Sequence, residues 1–292
     1  MVKTISQLYL DARRVLITQE DEQMASLMAR NLVCHITGKT QEQVLAQRDL
    51  YVNEQVCNQM DAAVQRLMTG EPLPYILGKW EFFGLELIVT PDVLIPRDDT
   101  CAVASLAIEQ SLFLDSKPRI LDLCTGSGCI GLAIASRVKD AKVTLADLSQ
   151  EALAVAKQNI VLHHLTNRVS CVKADALAQP PAFMGKFDLI VSNPPYITTQ
   201  EMLELPHSVI GFEPRMALHG GDDGLKFYRA IAENYASALK PGGYLCFEFG
   251  ERQGDDICKI LEANGYTVIA RTKDYHETER AVIARYDRKD EE

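Results

Sequence analysis

No run of apolar residues in these 292 positions approaches the roughly 20 that a membrane-spanning helix needs; runs such as Leu189 to Val191 are strand-sized. The N-terminus carries neither the basic nor the apolar region of a secretory signal, so a cytoplasmic protein with no membrane partner is expected. The eight cysteines (34, 57, 101, 124, 129, 171, 246 and 258) form no CxxC pair, and several sit in apolar segments where free thiols commonly hide. Neither a disulfide framework nor a metal site is expected. A surplus of positive charge is also missing. The formal net charge is −10, with 8 Lys/Arg against 9 Asp/Glu in residues 1–79 and 22 against 31 in the remainder. A protein that grips nucleic acid by its phosphates needs a basic stripe, so no direct nucleic-acid partner is expected, and a monomer is the default. What is present is 47% hydrophobic residues, enough to fill the core of one large domain or two modest ones.

From Ser6 to about Gly70 the apolar residues recur at helical spacing: Leu8, Val15 and Leu16, then Met24, Leu27 and Met28, then Val56, Met60, Val64 and Leu67. A small all-helical domain over 1–72 follows. Between Thr69 and Pro96 the composition turns to Pro, Gly and aromatics. Alternating stretches on either side of Gly84 predict a hairpin or extended linker over 73–97. Over 98–292 short apolar runs alternate with helical patterns: Ile120 to Leu123, Ile130 to Val138, Val143 to Ala146, Ala152 to Leu162, Val169 to Val172 and Phe187 to Ser192. That alternation predicts an α/β fold, a parallel sheet with helices on both faces. The closing runs Tyr266 to Ala270 and Ala281 to Arg285 lie only about ten residues apart, too few for a helical crossover, so they should pair antiparallel. Such a reversed terminal hairpin separates this Rossmann-like sheet from a plain dinucleotide-binding one.

The segment Cys124-Thr125-Gly126-Ser127-Gly128 follows a strand and opens a helix, where glycines let the backbone approach a ligand. With Gly131 it satisfies GxGxxG, and Asp147, 19 positions past Gly128, ends the next strand where a carboxylate can accept both ribose hydroxyls. This pattern suits NAD as well as S-adenosylmethionine. Asp175, near the end of the third strand run, is placed to reach an adenine amino group. Cys124 and Cys129 read as packing residues rather than nucleophiles.

Asn193-Pro194-Pro195-Tyr196 sits at the carboxyl end of the fourth strand run, where open parallel sheets place ligands. Its prolines exclude the interior of a ladder and make it a rigid projecting turn. The Asn193 side chain and the Pro194 carbonyl can accept both hydrogens of a substrate NH2, with Tyr196 offering a face to its planar group. Held this way, an amide or amine nitrogen is aimed at an electrophilic methyl, and positioning alone can supply ~7 kcal/mol or more without a metal or a nucleophilic side chain. The adjacent His163 and His164 face different directions, which makes them solvent-exposed rather than a metal pair. Glu213-Pro214-Arg215 reads as a brace for a loop over the substrate, and Asp290-Glu291-Glu292 as a solvated tail.

These residues carry a resemblance. The chain resembles the HemK/PrmC family of protein-(glutamine-N5) methyltransferases that act on peptide-chain release factors. The similarity runs through Pro74-Tyr75-Ile76-Leu77-Gly78, Val93-Leu94-Ile95-Pro96-Arg97, the glycine loop, Asp188 to Tyr196, Phe212-Glu213-Pro214-Arg215, Gly220-Gly221-Asp222-Asp223-Gly224 and Lys240-Pro241-Gly242-Gly243. It implies an S-adenosylmethionine methyltransferase acting on the glutamine of a Gly-Gly-Gln loop. In that reading Asn193, Pro194, Pro195 and Tyr196 bind the glutamine amide, and the helical domain engages the release factor. The implied cofactor set is Cys124, Thr125, Gly126, Ser127, Gly128, Asp147 at the ribose, Asp175 and Ala176 at the adenine, and Asn193. Cys124 stands where the family more often has Gly. That form also occurs in enzymes methylating a glutamine of a large-subunit ribosomal protein, which makes the latter activity the alternative. Ala176 replaces a larger apolar residue, and Asp98-Asp99-Thr100 stands for Pro-Glu-Thr. DNA adenine or RNA guanine methyltransferases would share the loop and NPPY but should bring a basic groove. An NAD oxidoreductase gives no reason for NPPY, and a non-catalytic adaptor predicts damage to Gly126, Gly128, Asp147 or Asn193, all intact.

Overall fold

The computed structural model describes residues 2–114 and 117–287; the closing run Asp290-Glu291-Glu292 lies outside the described residues. The chain divides into two compact units, one formed by Met1–Gly78 with His207–Phe212, the other by Lys79–Pro206 with Glu213–Glu292.

In the first unit five helices, α1 (Ile5–Leu16), α2 (Glu22–Thr37), α3 (Gln41–Ala46), α4 (Glu54–Met68) and α5 (Leu73–Leu77), follow one another with short connections. Each of the first four starts on a side chain that accepts orphan backbone N–H groups: Thr4, Asp21, Thr40 and Asn53. Thr4 with Gln7, and Thr40 with Gln43, close reciprocal capping boxes. The helical expectation is met, but the phase of α2 is not. Its buried stripe is Ala25, Ala29, Leu32 and Val33, whereas Met24 and Leu27, and Val15 on α1, are exposed. The alanines at i and i+4 let α1 and α2 approach closely, and the larger side chains are left on the flanks.

The second unit opens with an antiparallel hairpin, Lys79–Phe82 against Leu85–Ile88, turning at Phe83 and Gly84, both at positive φ (55° and 81°). That is the primed turn that matches strand twist. Helix α6 (Cys101–Leu112) follows. A seven-stranded sheet is then built from β1 (Arg119–Leu123), β2 (Lys142–Asp147), β3 (Val169–Lys173), β4 (Phe187–Ser192), β5 (Leu239–Glu248), β6 (Tyr266–Lys273) and β7 (Glu279–Tyr286). Helices α7 (Cys129–Arg137), α8 (Gln150–Leu162), α9 (Lys226–Asn234) and α10 (Gly254–Ala263) connect them. The strand order is β3-β2-β1-β4-β5-β7-β6, parallel throughout except that β7 runs antiparallel to both neighbours. The reversed hairpin is therefore present, with β7 inserted between β5 and β6.

Side chains alternate between two cores. Ile120, Val143, Leu145, Leu189, Val191 and Ile283 pack on the α6–α7–α8 face. Leu121, Leu123, Ile190, Leu245, Phe247 and Val282 pack on the α9–α10 face. Both faces are covered, which is why the strands read as nearly continuous apolar runs. Strand β5 has an irregular start: pairing with β4 skips from Phe187↔Leu239 to Leu189↔Tyr244, and Lys240 to Gly243 loops out of the ladder.

Candidate active site

The glycine loop leaves β1 as an overwound turn. Cys124 and Gly126 both take left-handed backbone (φ 61° and 53°), and Gly128 at φ 86° caps α7. Asp122, fully buried on β1, organises the turn: its Oδ2 accepts from the Thr125 hydroxyl at 2.6 Å and from the Gly131 N–H at 2.9 Å. Burial pushes its carboxyl up to about 7. Gly131 is required by packing, since a Cβ there would lie 2.3 Å from Leu145 Cδ2 and 3.1 Å from Asp122 Cβ. The loop is held from below by Asn159 of α8, fully buried, whose Nδ2 donates to the Ser127 carbonyl at 2.9 Å and whose amide also pairs with the Ile88 backbone. Asp147, at the end of β2, accepts from the Gly126 N–H at 2.9 Å and the Ser149 N–H at 3.0 Å. Burial raises its pKa, against the pull of those backbone donors. Burial likewise pushes the Cys124 and Cys129 thiols far up, so neither is a thiolate near neutrality.

Asn193 to Tyr196 follow β4 directly. The turn is strapped by the segment after Glu213: the Ile197 N–H donates to Leu218 O at 2.9 Å, and the Gly220 N–H to Ile197 O at 2.8 Å. A Cβ on Gly220 would meet Pro195 O at 2.7 Å, and one on Gly224 would meet Tyr196 O at 2.3 Å. Gln253 of the loop before α10 donates to Tyr196 O at 3.1 Å, while burial pushes the Tyr196 phenol up and keeps it protonated. Glu213, with a side chain only 1% exposed, ion-pairs with Arg97 and accepts from the Ile95 N–H at 3.1 Å, which ties the segment Val93 to Arg97 to the strap. Behind the turn, Glu248 ends β5. It is 1% exposed, and burial pushes its carboxyl up to about 8 against hydrogen bonds from Thr100 and Asn193, with Asp99 raising it and Arg280 lowering it.

The two motifs line one cavity of about 500 Å³, within the range of small-molecule sites. Cys124, Thr125, Gly126, Ser127, Asp147, Asp175, Ala176, Asn193 and Pro195 all reach it. Gly128, Pro194 and Tyr196 do not. Gly128 instead packs against Leu145, Leu132 and Ala156, Pro194 is buried, and the Tyr196 ring lies against Gly250. The cavity also takes in Pro214 and Arg215, of the segment expected to brace a loop over the substrate, and Thr100, His219 and Phe227, to which the sequence assigned no role. His163 follows the end of α8 and its Nε2 bonds the Glu86 carbonyl at 2.9 Å, so it is a tether and not a solvated ring. Asn159 and Glu248 were also missed; the one signal available was a polar side chain inside an otherwise apolar helix or strand.

Comparison with known proteins follows the same division. Residues 5–78 match the model of the PrmC N-terminal domain and residues 100–222 that of the methyltransferase small domain. The release factor glutamine methyltransferase of Clostridium acetobutylicum is 36% identical over 253 residues, covering 87% of this chain and 88% of its own. The enzyme of the same name from Fusobacterium nucleatum is 39% identical over 225 residues, covering 76% of this chain and 62% of its own length. A methyltransferase from Pyrococcus furiosus shares the fold, with a TM-score of 0.51 at 20% identity over 76% of this chain and 97% of that one. On the strength of these matches, with a glycine loop and an NPPY turn meeting in one cavity, the chain belongs to the release factor glutamine methyltransferase family.

Proposed function

We propose that this protein transfers a methyl group from S-adenosylmethionine to the side-chain amide nitrogen of the glutamine in the Gly-Gly-Gln loop of peptide-chain release factors. The observation that carries this reading is the meeting of Asn193 with the glycine loop, Asp147 and Asp175 in one cavity. Several features suit the cofactor. A Cβ on Gly126 would meet nothing within 4 Å, so the backbone there faces open space. Ser127 lines the cavity with a buried hydroxyl that has no hydrogen-bond partner. Asp147 and Asp175 each keep carboxylate lone pairs beyond the backbone N–H groups they accept. Asp147 would hold the ribose hydroxyls, Asp175 and Ala176 the adenine, and the loop Cys124 to Ser127 the rest. When bound, the cofactor supplies an electrophilic methyl on a sulfonium.

An amide nitrogen is a weak nucleophile because its lone pair is delocalised. The Asn193 Oδ1, which lines the cavity, accepts an N–H of this amide, turns the nitrogen towards the methyl and favours the positive charge that grows as the C–N bond forms and the C–S bond breaks. The nitrogen then loses one proton to water. Cys124, Cys129 and Tyr196 stay protonated and take no covalent part. The helical unit, which exposes Leu10, Met24 and Leu27, is assigned to holding the release factor.

The test is transfer of radiolabelled methyl to unmodified release factor, its Gln→Ala variant, the large-subunit ribosomal protein and unmethylated DNA. Label is expected on the release factor alone. It should vanish with the Gln→Ala change and fall about 100-fold or more with Asn193→Ala, the scale of losing one oriented polar group at a reacting centre. Label only on the ribosomal protein or only on DNA would replace the proposed substrate.

A further inference from the structure

An asparagine amide has nearly the same shape in its two flipped orientations, and only its hydrogen-bond partners choose between them. The choice matters at Asn193. With Oδ1 facing the cavity it accepts a substrate N–H; flipped, it presents N–H to N–H and repels the group it must hold. Of the partners that choose, Thr100 lines the cavity beside it and Glu248 lies behind. Asn193 Nδ2 points at Thr100 Oγ1, 3.4 Å away, and the buried Glu248 carboxyl stands next to both side chains. Thr100 and Glu248 are 2% and 1% exposed, and Glu248 does not reach the cavity.

Packing gives no reason for this acid. Glu248 ends a strand whose neighbours are Leu245, Cys246 and Phe247, all fully buried, and its Oε2 has no hydrogen-bond partner. Replacing a buried, half-satisfied carboxyl with an apolar side chain of similar volume is often neutral or stabilising. The turn bearing Thr100 is anchored as well: Asp99 ion-pairs with Arg280 of β7 at 3.1 Å, and Arg280 with the buried Asp274 at 2.9 Å.

We infer that Glu248 is a positioning residue for methyl transfer: through Thr100 it holds the Asn193 amide with Nδ2 turned inward and Oδ1 turned to the cavity. The chain has a direction. On this inference the Glu248 carboxyl accepts the Thr100 hydroxyl proton through the oxygen other than the unpartnered Oε2, which leaves a Thr100 lone pair for the Asn193 N–H. The direction survives protonation of the acid when the proton sits on the unpartnered Oε2, because Oε1 remains a carbonyl acceptor. Glutamine is then the isostere of the working form, whereas leucine removes the acceptor.

The inference rests on the amide-nitrogen reading above, and the experiment separates the two. Glu248→Leu, Glu248→Gln, Thr100→Val and Thr100→Ser are compared with the wild type and Asn193→Ala for kcat on release factor, cofactor Kd and Tm. Leucine and valine should each lower kcat about 10-fold or more with Kd for cofactor within about twofold, and the pair together should cost little more than either alone, because both break one chain. Glutamine and serine should recover most of the lost rate. A folded Glu248→Leu or Thr100→Val protein with wild-type kcat overturns the inference, as does a cofactor Kd that worsens in step with kcat, or a Gln variant as slow as the Leu variant. Should Glu248→Leu not fold, the Val and Ser pair at Thr100 decides alone. An inactive wild type would fell the amide reading itself, and this inference with it; an active wild type with an inactive Asn193→Ala leaves only the role of Glu248 and Thr100 to be judged.

Discussion

Gly131→Ala adds one methyl group at the closest approach between α7 and the sheet. The new Cβ would lie 2.3 Å from Leu145 Cδ2, 2.9 Å from Asp122 Oδ2 and 3.1 Å from Asp122 Cβ. Leu145 and Asp122 are both fully buried, so neither can swing away. Ordinary carbon contacts begin near 3.5 Å, so the helix must back off by about 1 Å, at the ~1–3 kcal/mol typical of overpacking. For a unit of this size that is a Tm lower by about 2–12 °C. The shift also stretches the Gly131 N–H bond to Asp122 and drags the loop that lines the cavity, so cofactor affinity should fall with stability. Gly126→Ala is the control. It meets nothing within 4 Å but keeps φ at 53°, and should cost stability only the ~1 kcal/mol of left-handed backbone; because its open face is the space proposed for the cofactor, it is the control for the melt and not for the titration. Thermal melts and calorimetric titration with S-adenosylhomocysteine read both. A Gly131→Ala protein with wild-type Tm and Kd would refute the close-packing argument.

Two other outcomes are expected. Asp147→Ala removes the acceptor for the Gly126 and Ser149 N–H groups together with the proposed ribose contact, and should weaken S-adenosylhomocysteine by about 10- to 100-fold, the scale of a hydrogen bond to a charged group; a Kd within twofold of wild type would remove Asp147 from the site. The pH dependence of stability has a definite sign. Asp122 and Glu248 have folded values of about 7 and about 8, raised above 3.8 and 4.5, so the folded state binds these protons more tightly than the unfolded one. Their contribution is complete at acid pH and is lost as pH rises through 7 and 8, at about 1.4 kcal/mol per pH unit for each while it lies between its two values. Tm measured at constant ionic strength should therefore fall from pH 5 to about 8 and level off above it, less steeply in Glu248→Gln; a Tm that rises between pH 5 and 8 would contradict the buried-acid picture.

Much of the fold was legible because the signals are local. The turn Cys124 to Gly128 needs left-handed backbone over three residues, and NPPY cannot lie in a ladder; both facts belong to neighbouring residues. The short spacing of the last two strands excluded a crossover. The phase of α2 was not legible, because Ala25 and Met24 differ in which helix they meet, and periodicity does not encode that. The strap from Glu213 to Gly224 was legible only at its start, where Glu213 to Arg215 read as a brace; what the rest of it packs against was not. Its glycines serve the backbone of Pro195 and Tyr196, more than 20 residues away in the chain.

By itself the sequence determined the αβ alternation, the reversed terminal hairpin, the glycine turn and the NPPY turn, since each follows from backbone chemistry within a few residues. Only the tertiary structure decided what stands behind Asn193. Thr100, Asn193 and Glu248 come from a turn, a strand end and another strand end, brought together because β5 pairs in parallel with β4 in one register. A slip of one residue in that register would turn Glu248 to the opposite face. Side-chain direction at a distance is a property of strand pairing, and strand pairing is set by the whole core.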